Sequence, residues 1–420
     1  MTNPKAVPLR VLFITQFFDP EPAFKGLAFA QKFMESGHSV EVITGFPNYP
    51  NGKVYPGYKI RFSQTDVIDG IKIHRVPLYP SHDKSALGRV LNYVSFAVSA
   101  TIRGVMLAGR ADVIYVYHPP LTAAMSGAAV GFIRRLPVVT EVQDLWPDTL
   151  RATGMIRAQR VLNAVGWVCK VVYRYTTRII VQSPGFRDRL VQRGVPLTKL
   201  DLIINWADEA RVDAHDLDLR PYSLSGRFNV LFTGTMGIAQ GLDVVLDAAR
   251  IVGARNDRVQ FVLVGGGVDA ARLRQRVADE GLVNVRILPG VARSQIGMLQ
   301  DLADVLLVAL RPDPLFEITI PSKTQTYMSR GKPIIISASG DAARLVEQAE
   351  AGVAVAPGDV VALADAVLSF ACLPREALDA MGRRGQVFYA AHLSFDEGFR
   401  RTIDSIRAAI RTFSGERPSN

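Results

Sequence analysis

The sequence predicts an α/β protein of two doubly wound domains, each built on a largely parallel sheet, facing each other across a cleft. Three observations carry that prediction. A chain of 420 residues is long for one hydrophobic core and favours two domains of ordinary size. Short apolar runs alternate with helical stretches in two successive series, the pattern of a parallel sheet with crossover helices. That alternation breaks once, over 205–227, where Asp208, Asp213, Asp216, Asp218 and Pro221 replace apolar periodicity, and the interdomain linker is placed there.

In the first series, strand-like runs fall at Val11–Gln16, Val40–Thr44, Val113–Tyr117, Val138–Val142 and Ile179–Gln182, with a helix from about Gly26 to Ser36. Between them Gly45–Pro80 is rich in Gly, Pro and Tyr and reads as a long loop region with room for a hairpin. The second series places strands at Val230–Thr233, Val259–Val264, Val285–Leu288, Val305–Leu310, Ile334–Ser337 and Val353–Ala356. The expected domains are 1–208 and 222–393, both Rossmann-like, with the helical stretch Ser394–Arg411 and the rest of 394–420 packing back on the first.

Apolar residues make up 48% and charged ones 21%, which excludes a disordered chain. Two distant cysteines, Cys169 and Cys372, and a start without an apolar signal core point to a cytoplasmic protein. Val90–Ala108 is interrupted by Asn92 and Arg103 and reads as an amphipathic or core helix, not a span. The net charge of +10 is concentrated in Arg151–Leu200, which holds ten Lys or Arg against the single acid Asp188. Trp167, Tyr173 and Tyr175 interleave with those cations, a mixture suited to an anionic membrane surface, with a merely solvated face as the alternative. No nucleic-acid recognition motif accompanies the charge, so nucleic acid is not expected as a partner.

In open parallel sheets ligands bind beyond the carboxyl ends of the strands, so the loops there carry the candidate chemistry. The loop FFDPEPAFKG delivers Gly26 to a helix N-terminus, where backbone amides and the helix dipole favour a phosphate, with Lys25 adding charge; a plain turn glycine is the alternative. GTMGIAQGLD carries Gly234, Gly237 and Gly241 between a strand and a helix and suggests a backbone-lined phosphate or sugar pocket. Ser322 with Gln325 fits a capping box, and Lys323 in the first turn opposes the dipole unless an anion binds there, which makes it a candidate ligand of a donor diphosphate. His118 and Asp144 each close or follow a strand and are expected at one sheet edge, facing the cleft, with a loop cap as the alternative for each. Glu317 lies before the capped helix, placed either to bond sugar hydroxyls or to face solvent. The single Asp-x-Asp spacing, Asp216 to Asp218, falls in the linker, and no P-loop, nucleophile elbow or His/Cys cluster occurs. No metal or other cofactor is expected.

At these loops the sequence resembles glycosyltransferase family 4, the retaining GT-B enzymes, over essentially its whole length. The pieces that carry the resemblance are FFDPEPAFKG with GFPNYPNGKVYPGY, YVYHPP, EVQDLWPD, GTMGIAQGLD, FVLVGGG with VRILPG, and PSKTQTYMSRGKP. Together they look like the bacterial surface-polysaccharide branch, including transferases of N-acetyl-L-fucosamine type. The resemblance implies a nucleotide-sugar donor, most simply a UDP-sugar, and a lipid-linked sugar or polysaccharide acceptor. It implies that Gly26 approaches the donor phosphates, that the loops opening at Gly265 and Pro289 hold ribose and base, and that Lys323 with its helix binds the diphosphate. His118 and Asp144 would line the acceptor side near the anomeric carbon. The chain departs from the family where two glutamates with seven residues between them are common: Thr326 takes the second place and Glu317 lies one residue off the first. The usual arginine and lysine of the second domain's first loop appear as Thr235 and Gln240. Those departures keep open an epimerase or hydrolase sharing the donor site, and an inactive binding subunit of an assembly complex.

Overall fold

The computed structural model describes residues 7–81, 86–209, 222, 226–292 and 295–415. Asp213, Asp216, Asp218 and Pro221 of the expected linker lie outside the described residues. The chain divides into two compact units, one of residues 1–182, 186–203 and 399–420, the other of 183–185 and 204–398.

The first unit opens with β1 (Arg10–Ile14), α1 (Leu27–Glu35), β2 (Ser39–Gly45), β3 (Gln64–Ile68) and β4 (Ile71–Val76). It continues with α2 (Ala86–Leu107), β5 (Val113–His118), α3 (Leu121–Arg134), β6 (Val138–Val142), α4 (Asp148–Ala152), α5 (Gln159–Tyr175), β7 (Arg178–Val181), α6 (Pro184–Gln192), whose first two residues count with the second unit, and β8 (Leu200–Leu202). The eight strands lie in the order β3-β4-β2-β1-β5-β6-β7-β8, parallel except for β3 against β4. The hairpin allowed for in the Gly45–Pro80 stretch is β3–β4; its turn, Asp69 and Gly70, has φ of 49° and 80°, the left-handed geometry that tight hairpins need. β4 then joins β2 in parallel register, Val42 opposite Ile73.

The second unit contains β9 (Phe228–Thr233), α7 (Asp243–Arg255), β10 (Val259–Val264), α8 (Ala270–Asp279), β11 (Val285–Leu288), α9 (Ile296–Leu302), β12 (Val305–Ala309) and α10 (Pro314–Glu317). After them come α11 (Ser322–Ser329), β13 (Ile334–Ser337), α12 (Asp341–Gln348), β14 (Gly352–Val355), α13 (Val360–Cys372) and α14 (Arg375–His392). Its six strands run β11-β10-β9-β12-β13-β14. Alternate residues of β9 feed opposite layers: Val230 and Phe232 pack with α7 and α13 residues such as Val245 and Val367. Leu231 packs on the other side with Tyr327 and Met328 of α11. Burial on both faces explains why these strands are continuous apolar runs.

In both sheets the first strand has neighbours on either side and the chain order reverses beside it, between β1 and β5 and between β9 and β12. Such reversal points open a crevice at the carboxyl edge. The final helix, α15 (Phe395–Ser414), crosses the division: Phe399 onward belongs to the first unit, where its ring meets Phe33 of α1 at 4.9 Å.

Candidate active site

At the carboxyl edge of the second sheet, three glycine-bearing loops stack in strand order. The Gly234 amide donates to the Val264 carbonyl and the Gly265 amide to the Leu288 carbonyl, at 2.9 and 3.0 Å. Gly265 (φ 151°) lies so close that a Cβ there would come to 1.9 Å from the Gly234 oxygen. The glycines are therefore required first by loop-on-loop packing, and the shelf of backbone they form is the consequence. Pro289 follows β11 on the exposed rim.

Helix α11 sets its first turn against this shelf. Tyr327 is pinned beneath, its hydroxyl accepting from the Thr233 amide at 3.0 Å, and Gln300 donates to the Thr233 hydroxyl at 3.0 Å. That anchoring holds Lys323 with Nζ 3.6 Å from the centre of the Phe232 ring and 3.4 Å from where a Cβ on Gly234 would stand. The ammonium is buried and has no hydrogen-bond partner, and burial lowers its pKa from 10.5 to about 7. A buried cation resting only on a ring face lacks the anion that would satisfy it. Arg311, just past β12, borders the same loop: its amide donates to the Ala239 carbonyl at 3.0 Å, while its Nε is buried without a partner. Sequence reasoning passed over Arg311, although a cation directly after a buried strand is the signal that would have found it.

Two expectations for this edge, at Ser322 and Gln240, are corrected. Ser322 does not cap α11: Pro321 is the N-cap, no side chain caps the helix, and Ser322 is exposed as its first residue. Gln240 turns inward and its Oε1 accepts the Gly237 amide at 3.0 Å, closing the short turn instead of facing a ligand. Thr235 is exposed in the same loop. Glu317 ends α10 with its side chain exposed, while its carbonyl packs where a Cβ on Gly340 would stand 1.9 Å away.

In the first unit, the expected phosphate site at Gly26 is already filled by the protein. The Asp19 carboxylate accepts the Leu27 amide at 2.6 Å, and a Cβ on Gly26 would meet that carboxylate at 2.2 Å. A carboxylate at the positive end of α1 occupies the place a phosphate would take. Lys25 is likewise corrected. Its buried ammonium pairs with Glu141 and donates to the Tyr115 hydroxyl at 2.9 Å, so its charge is spent inside the sheet. Glu141, an acid in the apolar strand β6, was the visible sign of such a partner.

His118 and Asp144 do reach one edge. His118 pairs with Val142 across β5 and β6, and Asp144 follows two residues later. Neither ring nitrogen of His118 has a partner; burial lowers its pKa to about 4, and Trp146 meets the ring edge-on at 5.9 Å. Burial raises the Asp144 pKa. The neighbouring loop holds a residue that sequence reasoning missed, Glu21. Its Oε1 accepts the Asn48 and Tyr49 amides at 2.6 and 2.7 Å, its Oε2 is buried without a partner, and burial lifts its pKa to about 7. Among the described residues no group of three or more His, Cys, Asp or Glu is arranged to hold a metal.

Comparison with known proteins bears on the fold and the class of enzyme. Residues 227–371 match the family described as "Glycosyl transferases group 1", and 27–206 match the "Glycosyl transferase 4-like domain". The chain is 26% identical over 315 residues to WcaI of Escherichia coli (strain K12), by name a colanic acid biosynthesis glycosyl transferase, covering 72% of this chain and 76% of that one. It is also 26% identical over 329 residues to the GDP-mannose-dependent alpha-(1-6)-phosphatidylinositol monomannoside mannosyltransferase of Mycobacterium tuberculosis (strain CDC 1551 / Oshkosh), covering 71% and 85%. Among solved structures, Anabaena Alr3699/HepE in complex with UDP shares the fold at a TM-score of 0.63 and 17% identity, covering 95% of this chain and all of that one. The sucrose-phosphate synthase of Thermosynechococcus elongatus shares it at 0.66 and 15%, covering 97% and 100%. The two parallel-sheet units have the fold of GT-B enzymes, and the chain is a glycosyltransferase that carries a 4-like domain match in its first half and a group 1 match in its second.

Proposed function

We propose that the enzyme transfers a sugar from a nucleoside diphosphate donor, a UDP-sugar in the simplest case, to a hydroxyl of a lipid-linked or polysaccharide acceptor in the cytoplasm, with retention of anomeric configuration. The pathway would be bacterial surface-glycan synthesis, with N-acetyl-L-fucosamine among the sugars to test. The observation that carries this reading is the buried, unpartnered Lys323 ammonium over the glycine shelf. A diphosphate seated there would pair with it, with the unpartnered Nε of Arg311 and with the uncapped amides of α11. The C1–O bond to the diphosphate breaks as the acceptor oxygen bonds C1 on the same face, and the acceptor proton passes to the departing phosphate oxygen. Preorganised donors stabilise the charge that develops on that oxygen, and no step is routed through a metal. His118, neutral at pH 7 with its pKa near 4, positions and polarises the acceptor, with Asp144 beside it. HepE carries UDP and the M. tuberculosis relative is named for GDP-mannose, so both donors belong in the test.

The test is turnover of UDP-, GDP- and dTDP-sugars with and without polyprenyl-diphosphate-sugar acceptors, for wild type, Lys323→Ala and His118→Ala. We expect acceptor-dependent nucleotide release that falls at least ~100-fold in Lys323→Ala, the scale of one lost oxyanion donor. Release that ignores the acceptor would instead mark a hydrolase or epimerase, and tight donor binding without release an inactive subunit.

A further inference from the structure

We infer that the outer face of α2, α3 and α5 is a membrane-docking surface that lies in the interface of an anionic bilayer. The inference is independent of the donor chemistry. The crossovers from β4 to β5, β5 to β6 and β6 to β7 all advance the same way across the sheet, so right-handed connections place the three helices side by side on one face. Their outward residues are apolar to a degree that folding does not require.

Along α2, Leu87, Leu91, Val94, Val98, Ile102 and Met106 are all exposed, at the three- and four-residue spacing of one helical stripe. The opposite stripe, Asn92, Phe96 and Ala100, is buried. The helix is long and apolar enough to cross a bilayer by length and composition, yet it is fastened lengthwise to the sheet: Asn92 donates to the Tyr79 carbonyl at 2.8 Å and Ser99 to the Pro77 carbonyl at 2.6 Å. A helix so fastened presents its free stripe to a surface and does not thread through it. The stripe continues onto α3 at Phe132 and Ile133, and Phe132, 69% exposed, meets Tyr175 of α5 at 5.4 Å. On α5, Trp167 is 66% exposed.

Charge selects the occupant. None of the three helices contains an Asp or Glu, while Arg134 on α3 and Arg160, Lys170 and Arg174 on α5 are exposed. Beside Trp167 opens a groove of about 710 Å³ lined by Lys170, Tyr173, Arg174, Arg193 and Lys199; Arg193 pairs with Asp148 and Lys199 donates to backbone carbonyls, so Lys170 and Arg174 are its cations turned to a lipid phosphate. Apolar stripe, rim aromatics and acid-free cations fit an anionic lipid surface; a second copy would set like charges against one another. The basic window at 151–200 is therefore one flank of a wider face whose embedded part is α2.

Flotation of the full chain with vesicles of phosphatidylcholine alone, or with phosphatidylglycerol added, tests this without any sugar substrate. We expect the protein to float only with the anionic vesicles, with Trp167 emission shifting to the blue. The bound fraction should fall at least ~10-fold both in Val94→Glu/Val98→Glu and in Lys170→Glu/Arg174→Glu, with thermal unfolding unchanged. Leu87→Gln/Met106→Gln gives a second reading of the stripe should the first pair fold poorly. No flotation with anionic vesicles overturns the inference. So does flotation that survives both stripe variants, which would leave only electrostatic adsorption through α5. A soluble dimer that the stripe variants dissociate, with no vesicle binding, overturns it as self-association.

Discussion

Lys323 and His118 are both buried bases without partners, and their chemistry separates them. Lys323, at about pKa 7, is largely neutral at pH 8 and must take up a proton to pair with a diphosphate. UDP binding should therefore consume close to one proton at pH 8 and almost none at pH 6, and affinity should fall by up to ~10-fold per pH unit above 7. Calorimetry in two buffers of different ionisation enthalpy measures this, and Lys323→Met should abolish the uptake. His118 acts on stability. Its folded pKa of about 4 lies below the ordinary 6.5, so the unfolded chain binds the extra proton in that interval. Its contribution is whole above pH 6.5 and is lost as pH falls towards 4, on the order of 3 kcal/mol. Glu21 works in the opposite sense, because a carboxyl raised to about 7 favours the fold as pH drops from 7 to 4.5. The clean measurement is thus the difference between wild type and His118→Gln in denaturant midpoints from pH 7 to 4.5, which should move against the wild type on acidification.

At the scale of elements, the loop and helix following β1 show how one stretch can look like a ligand site and be a structural one. Gly26 at a helix start and Lys25 beside it have the residue types a phosphate needs. Asp19, seven residues earlier, already satisfies the helix terminus, and Glu141, on a strand more than a hundred residues later, takes the lysine. Breaking a buried ion pair from one side leaves an uncompensated charge. Lys25→Met should accordingly cost about 3–5 kcal/mol of unfolding free energy, with much of it restored by adding Glu141→Gln, while UDP affinity stays unchanged. A fall in UDP affinity at full stability would return Lys25 to the donor site.

Over the whole molecule, the last helix ties the end of the chain to its beginning: Phe399, buried, stands against Phe29 and Phe33 at 5.8 and 4.9 Å. Removing that ring empties a space among α1 side chains that cannot collapse readily, and Phe399→Ala should lower the stability of the first unit by about 3–5 kcal/mol. Denaturant unfolding followed by limited proteolysis of α1 reads the loss. The distribution of charge also belongs to this scale. A net +10 is only a number until the fold sets α2, α3 and α5 beside one another.

What the sequence determined by itself was the alternation of strand and helix, most strand positions to within a residue or two, and the places of Lys323 in a helix's first turn and of the glycines in the β9 loop. Those are local facts: apolar periodicity, glycine spacing and a cation in a helix's first turn are all read within a dozen residues. Strand order is not local, so the reversal points beside β1 and β9, and with them Glu21, emerged only from the tertiary structure. The same holds for partners. Asp19 against Gly26, Glu141 against Lys25 and the Gly237 amide against Gln240 turned three candidate ligands into structure. The stripe on α2 reads equally well as core until packing shows which side stays uncovered, because a helix's periodicity reveals that it has an apolar face and packing alone decides what meets it.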